Sequence, residues 1–362
     1  HLMGEGRLHR LDLTRRLSGG AVPSVEVIDL ARDPGPLSRP LIEALREAHK
    51  EGRQSILFLN RRGFAHFFHC HSCGYQMKCQ HCSVGLTYHK QRNLMVCHYC
   101  GYRTRPITEC PECGSLDVGY SGFGTERIEE ELSRSFPEWR IQRLDTDAVR
   151  KKGVLEQTIT QFRKGEIDVL LGTQMVAKGL NFPGVKLVGI VLADTGLHLP
   201  DFRAAERTFG LIVQVAGRAG RFHPDGRVLV QTYQPHNPAI LRAAEHDLEG
   251  YYHTELNVRR ELEFPPFARL FRIVVRGRNG GAVRRAAAEL ASAINGALGN
   301  GEETLGPAEC PLATVSGNVR HQVIVRTRTF GVTHERLRAV LSPFEIPSGL
   351  YLEIDVDPVA LL

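Results

Sequence analysis

At 362 residues and 40.4 kDa, the chain is long enough for two or more domains, each with its own core. Apolar residues make up 42% and charged residues 24%, which is close to the globular average and excludes a disordered or fibrous chain. The formal net charge of +6 is small, and eight thiolates binding two Zn²⁺ ions would change it to about +2. Any contact with nucleic acid must therefore come from local basic patches.

The N-terminus, His1-Leu2-Met3, lacks the charged and apolar pattern of a secretory signal and resembles an expression-vector scar. No run of ~18 uncharged apolar residues occurs, so no membrane span is predicted. We therefore expect a cytosolic fragment whose natural start has been removed.

Along the chain, helical and strand-like patterns alternate, which predicts an α/β domain. Helices are expected over 40–51, from Thr125, over 154–162 and over 202–216, and strands over 55–59, 140–144, 167–171, 185–192 and 227–232. This order favours a parallel sheet covered on both faces, with the cysteine-rich segment as an insertion.

Eight of the nine cysteines form four Cys-x2-Cys pairs within 44 residues. The pairs are Cys70/Cys73, Cys79/Cys82, Cys97/Cys100 and Cys110/Cys113. A two-residue spacer lets both sulfurs face one ion, and tetrahedral Zn²⁺ needs two such pairs. A disulfide scaffold and an iron–sulfur cluster are the alternatives. The pattern predicts two structural zinc sites, whereas Cys310 lies apart and has no assigned role.

Four pairs can share two ions in a sequential, a crossed or a nested order. Only five residues separate Cys73 from Cys79, a short reach for two pairs on one ion. Residues 83–96 alternate like a hairpin that would return Cys79/Cys82 to Cys97/Cys100. Spacing thus favours the nested order, with the outermost pairs closing the second site.

Glycines and histidines flank the cysteine pairs. Positive φ angles at Gly74, Gly101 and Gly114 would turn backbone N–H groups back toward the thiolates. Because eight thiolates already fill two sites, we expect the neighbouring histidines to be bystanders. These histidines are His69, His71, His81 and His98.

After a long helical stretch over 238–263 and the Pro265-Pro266 break, a second domain is predicted. Strands over 270–276, around 314, over 319–326 and over 350–356, with helices over 281–298 and 334–341, give the order β-α-β-β-α-β. This order indicates a small ferredoxin-like α+β unit. Residues 259–328 contain 11 arginines and no lysine. That bias favours phosphate contact, or it reflects an arginine-rich C-terminal half, and both interpretations stay open.

Two short stretches of the α/β domain carry chemical information. GTQMVAKGLNFP (172–183) directly follows a strand, and its hydroxyl, amide and backbone N–H groups suit a phosphodiester backbone. QVAGRAGR (214–221) ends a helix and sets Arg218 and Arg221 three residues apart. Fixed cations of this kind suit a transferring γ-phosphoryl group, although a basic helix end is the structural alternative.

GTQMVAKG and QVAGRAGR resemble motifs V and VI in the second RecA-like lobe of superfamily 2 helicases. With FLNRRGFA before the cysteines and EIDVDPVALL at the end, the chain from Val25 onward resembles the PriA family of primosomal replication-restart helicases. The resemblance implies an ATP-dependent 3′→5′ DNA helicase that binds stalled or repaired forks and initiates primosome assembly. It also implies a bacterial, cytoplasmic, nucleoid-associated monomer that works with single-stranded-DNA-binding protein and other primosome proteins.

The same resemblance implies roles for individual residues and supports the nested zinc pairing. Thr173, Gln174 and Lys178 would contact DNA, and Arg218 and Arg221 would face ATP as arginine fingers. Gln214, Gly179 and Gly217 would lie beside the nucleotide. Asn181 stands where many superfamily members carry aspartate, so we assign it no ribose contact.

Two motifs of an ATPase are missing from this sequence. No glycine is followed by lysine, as a P-loop requires, and no Asp-Glu dipeptide could hold Mg²⁺. We expect ATP and Mg²⁺ to bind only in the full-length protein and this chain to be inactive alone. The alternative function is a non-catalytic, zinc-containing DNA-binding and partner-docking module.

These inferences predict a domain plan. It consists of a scar and upstream remnant (1–24), a RecA-like second helicase lobe (25–69 and 115–240), a zinc-binding insertion (70–114), a helical connector (241–268) and a C-terminal α+β DNA-binding domain (269–362).

Overall fold

The computed structural model describes residues 1–11, 23–33, 35–59, 68–81, 84–89, 92–119, 125–144, 153–173, 182–219 and 225–361. In these ranges the strands are β1 (Ser24–Asp29), β2 (Gln54–Phe58), β3 (His69–Cys70), β4 (Thr87–His89), β5 (Leu94–Val96), β6 (Arg103–Thr104), β7 (Val118–Gly119), β8 (Ile141–Leu144), β9 (Val169–Gly172), β10 (Val185–Ile190), β11 (Arg227–Thr232), β12 (Arg269–Gly277), β13 (Glu302–Val315), β14 (Asn318–Thr327) and β15 (Leu350–Val356). The helices are α1 (Arg39–Lys50), α2 (Thr125–Ser135), α3 (Val154–Arg163), α4 (Asp194–Leu197), α5 (Ala204–Ala219), α6 (Pro238–Ala244), α7 (Leu248–Glu261), α8 (Gly280–Ala297) and α9 (Phe330–Leu341). Within the described ranges, none of these helices is long and apolar enough to cross a membrane.

The large sheet contains six parallel strands in the order β1-β11-β10-β2-β9-β8. Strands β2 and β9 are buried along their whole length, as expected for a parallel sheet covered on both faces. One face packs around Phe58 and Val230 against α3, α5, α6 and α7, and the other packs around Leu57 and Leu229 against α1 and α2. The chain leaves this sheet after β2 and rejoins it at β8, so the prediction of an interrupted α/β domain is confirmed.

Two parts of this domain differ from the sequence prediction. Strand β1 was not predicted, because its position at the sheet edge leaves much of it exposed and without a continuous apolar run. The long helical stretch predicted over 238–263 is helical, but it is divided into two helices, α6 and α7. His246 between them has a φ of 56°, and Asp247 Oδ1 caps α7 by accepting the N–H of Gly250 at 2.8 Å.

The C-terminal sheet is antiparallel in the order β13-β14-β12-β15, which confirms the predicted β-α-β-β-α-β unit. Helix α8 packs on one face, where Leu290 and Ile294 join the cluster that contains Ile273 and Val323. The opposite face carries Leu270 and Ile324, which pack toward the cysteine-rich segment instead.

A fourth core joins the three parts of the chain, and we call it the junction core. Its buried members are Phe68, Cys79, Val84, Leu86, Met95, Cys97, Tyr99, Phe264, Leu270, Leu305, Ile324 and Leu361. The fully buried Tyr99 accepts the N–H of Phe202 through its hydroxyl at 3.1 Å, which ties the cysteine-rich segment to the start of α5. The C-terminal end of the chain packs against the same core, and the Leu361 N–H donates to Asp201 Oδ2 at 3.3 Å.

Candidate functional site

The outer cysteine cluster consists of Cys70, Cys73, Cys110 and Cys113, whose Sγ atoms all lie within 4.8 Å of one another. The Sγ atoms of Cys70 and Cys113 are 3.6 Å apart, as are those of Cys73 and Cys110. Strands β3 and β7 pair antiparallel and hold the two ends of the segment together.

The inner cysteine cluster contains Cys79, Cys97 and Cys100, again with all Sγ atoms within 4.8 Å. Cys79 and Cys100 approach to 3.6 Å between sulfurs. Cys82 lies outside the described residues. The predicted hairpin returns the chain here, because β4 pairs antiparallel with β5. The described cysteines are therefore grouped in the nested order that their spacing favours.

The distances between the sulfur atoms distinguish a disulfide bond from a tetrahedral metal site. Disulfide-bonded sulfurs would lie ~2.05 Å apart, so the described cysteines are free and the disulfide scaffold is wrong. Four thiolates at ~2.3 Å from one ion in a tetrahedron lie about 3.8 Å from each other. The four sulfurs of the outer cluster thus fit one tetrahedral ion, and the inner cluster supplies three described sulfurs of the same kind.

Glycines shape the turn after three of the cysteine pairs. Gly74, Gly101 and Gly114 have φ values of 74°, 79° and 69°, so the predicted left-handed turns are confirmed. The N–H group of each glycine donates to the carbonyl oxygen of the first cysteine of its pair at 2.9 to 3.0 Å. Neighbouring backbone N–H groups turn toward the sulfurs as predicted, and the Tyr99 N–H donates to Cys97 Sγ at 3.4 Å. At Gly74 a Cβ atom would also collide with the carbonyl oxygen of Tyr233.

Among the described residues, no histidine joins either cluster. The buried His98 has another contact that the sequence did not reveal. Burial lowers its pKa to about 4, so the ring is neutral at pH 7, and its Nδ1 lies 2.7 Å from the carbonyl oxygen of Glu309. Its own carbonyl accepts from Gln322 Nε2 at 2.7 Å. His98 thus joins the inner cluster to the C-terminal sheet.

The predicted DNA-contacting stretch begins at the carboxyl edge of the large sheet. Thr173 directly follows β9 and is half-buried there. Ligands of open parallel sheets bind at this edge, so its position suits a contact with a substrate. Gln174, Lys178 and Gly179 lie outside the described residues.

The predicted nucleotide-facing residues occupy the last turns of α5. Gln214 is exposed and Gly217 half-buried, whereas Arg218 is only 8% exposed. A guanidinium near a helix C-terminus interacts favourably with the helix dipole, and burial restricts its rotamers. Arg218 is therefore a buried cation at the end of α5, while Arg221 lies outside the described residues.

A buried carboxylate next to the same sheet edge was missed in the sequence. Burial raises the pKa of Asp194 to about 6, although hydrogen bonds from Thr232 Oγ1 at 3.0 Å and the Tyr233 N–H at 3.1 Å act in the opposite direction. Asp194 joins the segments that follow β10 and β11. The signal for this site in the sequence was an acidic residue that follows an apolar strand by a few positions.

Three family models match separate parts of the chain. The model for the "PriA DNA helicase Cys-rich region (CRR) domain" matches residues 79–105, and "Helicase conserved C-terminal domain" matches 122–223. "Primosomal protein N C-terminal domain" matches 260–359. The matches follow the order of the inner cysteine cluster, the large sheet and the C-terminal sheet.

Curated relatives match over nearly the whole chain. Replication restart protein PriA of Treponema pallidum is 49% identical over 100% of this chain and 55% of its own length. The proteins of the same name from Borreliella burgdorferi and Bacillus subtilis are 33% and 36% identical over 100% and 99% of this chain, and over 54% and 46% of their own lengths. The chain thus spans about half the length of the curated relatives it matches.

Among solved structures, the C-terminal domain of the DEAD-box protein Dbp5 aligns at 13% identity over 66% of this chain and 98% of that chain, with a TM-score of only 0.31. The family assignment rests instead on the sequence matches over nearly the whole of this chain and on the three family models in their order. The chain belongs to the PriA family of replication restart helicases.

Proposed function

We propose that this chain is the part of an ATP-dependent 3′→5′ DNA helicase that carries the second motor lobe, the zinc-binding insertion and a C-terminal DNA-binding domain. The full-length protein would recognise stalled or repaired replication forks and initiate primosome assembly. The observation that carries this proposal is the match of relatives named replication restart protein PriA to the whole chain.

The proposed motor chemistry is divided between two lobes. Arg218 and Arg221 supply positive charge to the γ-phosphoryl group, with Gln214 and Gly217 beside it and Gly179 in the adjoining loop. Thr173, Gln174 and Lys178 contact the DNA backbone. ATP and Mg²⁺ bind to the first motor lobe of the full-length protein. The P-loop and the acidic motif of that lobe do not occur in this sequence. The place of Arg218 at the end of α5 supports this division.

We assign two Zn²⁺ ions to the nested sites. Cys70, Cys73, Cys110 and Cys113 hold one ion, and Cys79, Cys82, Cys97 and Cys100 hold the other. The 3.6 Å sulfur separations support tetrahedral thiolate sites, and the match of a Cys-rich region family model supports the same chemistry. Bound zinc supplies folding free energy to such a module.

Elemental analysis tests this assignment. The purified chain is expected to contain two zinc atoms, Cys310→Ser should leave that number unchanged, and Cys100→Ser should lower it to one. A single zinc atom in the unsubstituted chain, or a stoichiometric amount of iron, would contradict the assignment.

The proposed partners are forked or branched DNA, single-stranded-DNA-binding protein and other primosome proteins. We expect the protein to be a monomer that works in the bacterial cytoplasm, at the nucleoid. The alternative is a non-catalytic docking module that retains the helicase motifs as scaffold. The absence of a Gly-Lys pair and of an Asp-Glu pair from the sequence favours that alternative for this chain alone.

Unwinding assays on the full-length protein separate the two functions. We expect ATP-dependent unwinding of a duplex with a 3′ single-stranded tail, little unwinding with a 5′ tail, and no DNA-stimulated ATP hydrolysis by this chain alone. Full-length protein that binds forks but neither hydrolyses ATP nor unwinds them would establish the docking module. DNA-stimulated turnover by the pure chain would contradict the two-lobe division.

A further inference from the structure

Two histidines of the zinc-binding insertion face each other outside both cysteine clusters. His89 is the last residue of β4, and His98 lies between Cys97 and Cys100. The Nε2 atoms of the two rings are 3.4 Å apart. His98 is fully buried, whereas His89 is half-buried, so solvent reaches the pair from the side of His89.

The contact of His98 with the C-terminal sheet determines which of its ring nitrogens carries the hydrogen. Nδ1 lies 2.7 Å from the carbonyl oxygen of Glu309, and that oxygen can only accept, so Nδ1 is the donor. In the neutral ring Nε2 then has a lone pair, and it lies on the side of His89. Metal-binding histidines usually have this arrangement, with one nitrogen held by a carbonyl oxygen and the other bound to the ion.

The distance between the two Nε2 atoms favours a shared ion over a direct hydrogen bond. Hydrogen bonds from N–H groups to oxygen are ~2.7 to 3.2 Å long, so 3.4 Å is long for a direct bond between the rings. Two nitrogens at ~2.0 to 2.1 Å from one tetrahedral Zn²⁺ ion lie about 3.3 to 3.4 Å from each other. The observed separation therefore matches two ligands of a single ion.

The charges around the pair are compatible with a cation. The backbone N–H of Arg92 donates to the carbonyl oxygen of His89 at 3.1 Å, and its guanidinium is offset by Glu309 Oε2 at 2.6 Å. Arg103 on β6 is exposed, so solvent screens its charge. In the part of the chain that the structure describes, only the two cysteine clusters bring three or more ligands together. The histidine pair therefore offers two protein ligands, and water is left to complete the coordination.

We propose that His89 and His98 form a third metal site, which binds one Zn²⁺ ion through their Nε2 atoms. Neutral imidazole is a preferred ligand of Zn²⁺. With two protein ligands instead of four, the site binds its ion more weakly than the cysteine clusters do and exchanges it with solvent. The ion joins the end of β4 to the turn between Cys97 and Cys100, and His98 continues this connection to Glu309 in the C-terminal sheet. The site does not depend on the proposed helicase function.

Equilibrium dialysis of the 362-residue chain against Zn²⁺ tests the third site. Freed of weakly bound metal, the chain is expected to retain two zinc atoms and to take up one more as the Zn²⁺ concentration rises. His89→Gln should keep the two retained atoms and lower the affinity for the third by at least ~100-fold, because even the loss of a group that only orients a metal ligand costs roughly 10- to 100-fold. His89 is the residue to replace, since His98 also holds Glu309 and Gln322.

The matched control is His81→Gln in the same insertion. His81 is exposed, precedes Cys82 and contacts the ring of Tyr102 edge-on, and its variant should take up the third ion like the unsubstituted chain. Nuclear magnetic resonance of the histidine ring nitrogens identifies the ligands directly. Added Zn²⁺ should shift the Nε2 resonances of His89 and His98 and leave those of His81 unchanged. The same addition should slow amide exchange in β4, because an ion that binds only the folded hairpin stabilises it.

Three results would overturn the third site. They are no uptake beyond the retained zinc, equal affinity in His89→Gln and the unsubstituted chain, and a bound ion that shifts His81 but neither His89 nor His98. The first would leave a direct hydrogen bond between the rings, and the last would assign the ion to exposed histidines. The two-zinc assignment is judged separately, by the zinc retained before the titration. A chain that retains fewer than two atoms but still binds Zn²⁺ at His89 would contradict that assignment and support the third site.

Discussion

Replacing Cys97 by serine is expected to unfold the inner cysteine hairpin and also to release the C-terminal sheet from the rest of the chain. Zinc–thiolate binding contributes ~10 kcal/mol or more to local folding, which is comparable to the ~5–15 kcal/mol that stabilises a whole domain. Cys97 is fully buried in the junction core, and the two residues that follow it make the long-range contacts. His98 reaches Gln322, and Tyr99 reaches Phe202.

Hydrogen exchange measures this effect strand by strand. In the Cys97→Ser variant, amides of β4 and β5 should exchange at unprotected rates, and amides of β12 and β14 should exchange faster because their cover over Leu270 and Ile324 is lost. Amides of β2 and β9 should stay protected, because their two cores contain no residue of the cysteine-rich segment.

Two cysteine variants serve as controls for the same chemical change. Cys310→Ser alters a buried cysteine that belongs to neither cluster, and it should leave exchange in β4 and β5 unchanged. Cys113→Ser alters an exposed cysteine of the outer cluster, and its effect should stay near β3 and β7. If all three variants exchange alike, the inner cluster does not support the junction core.

The cysteine clusters and the sheet could be predicted from sequence because their signals are local. The Cys-x2-Cys spacing determines which sulfurs turn together, and the alternation over 83–96 gives the hairpin that pairs Cys79 with Cys97 and Cys100. The apolar runs of β2 and β9 likewise follow directly from burial on both faces.

The junction core could not be predicted because its contacts join residues that are far apart in the chain. Tyr99 meets the backbone of Phe202 across 103 positions, and Leu361 meets Asp201 across 160. Neither pair leaves a periodic pattern. The break between α6 and α7 was missed for a different reason. Apolar residues continue at helical spacing on both sides, and only the cap at Asp247 marks the new start.

Replacing Arg218 by alanine in the full-length protein is expected to lower kcat for DNA-stimulated ATP hydrolysis by about 10³-fold, because arginine fingers contribute roughly 10³ to 10⁵ to phosphoryl transfer. That loss corresponds to about 4 kcal/mol of transition-state stabilisation. DNA affinity and its salt dependence should not change, because the proposed DNA contacts lie in the stretch after β9 and in the C-terminal domain. Arg218→Lys should recover little activity, since a single ammonium cannot reproduce the planar guanidinium.

The burial of Arg218 makes a purely structural role the competing explanation, and the other end of the same helix provides the control. Arg207 near the start of α5 donates to the carbonyl oxygen of Val359 at 2.7 Å and pairs with Asp201 at 3.1 Å. Arg207→Ala should lower the unfolding temperature of the 362-residue chain while the full-length variant keeps most of its ATP turnover. Arg218→Ala should show the reverse, a large loss of turnover with a small change in unfolding temperature. If Arg218→Ala instead destabilises the chain as much as Arg207→Ala and turnover falls only in proportion to the folded fraction, Arg218 closes the helix end and does not meet the nucleotide.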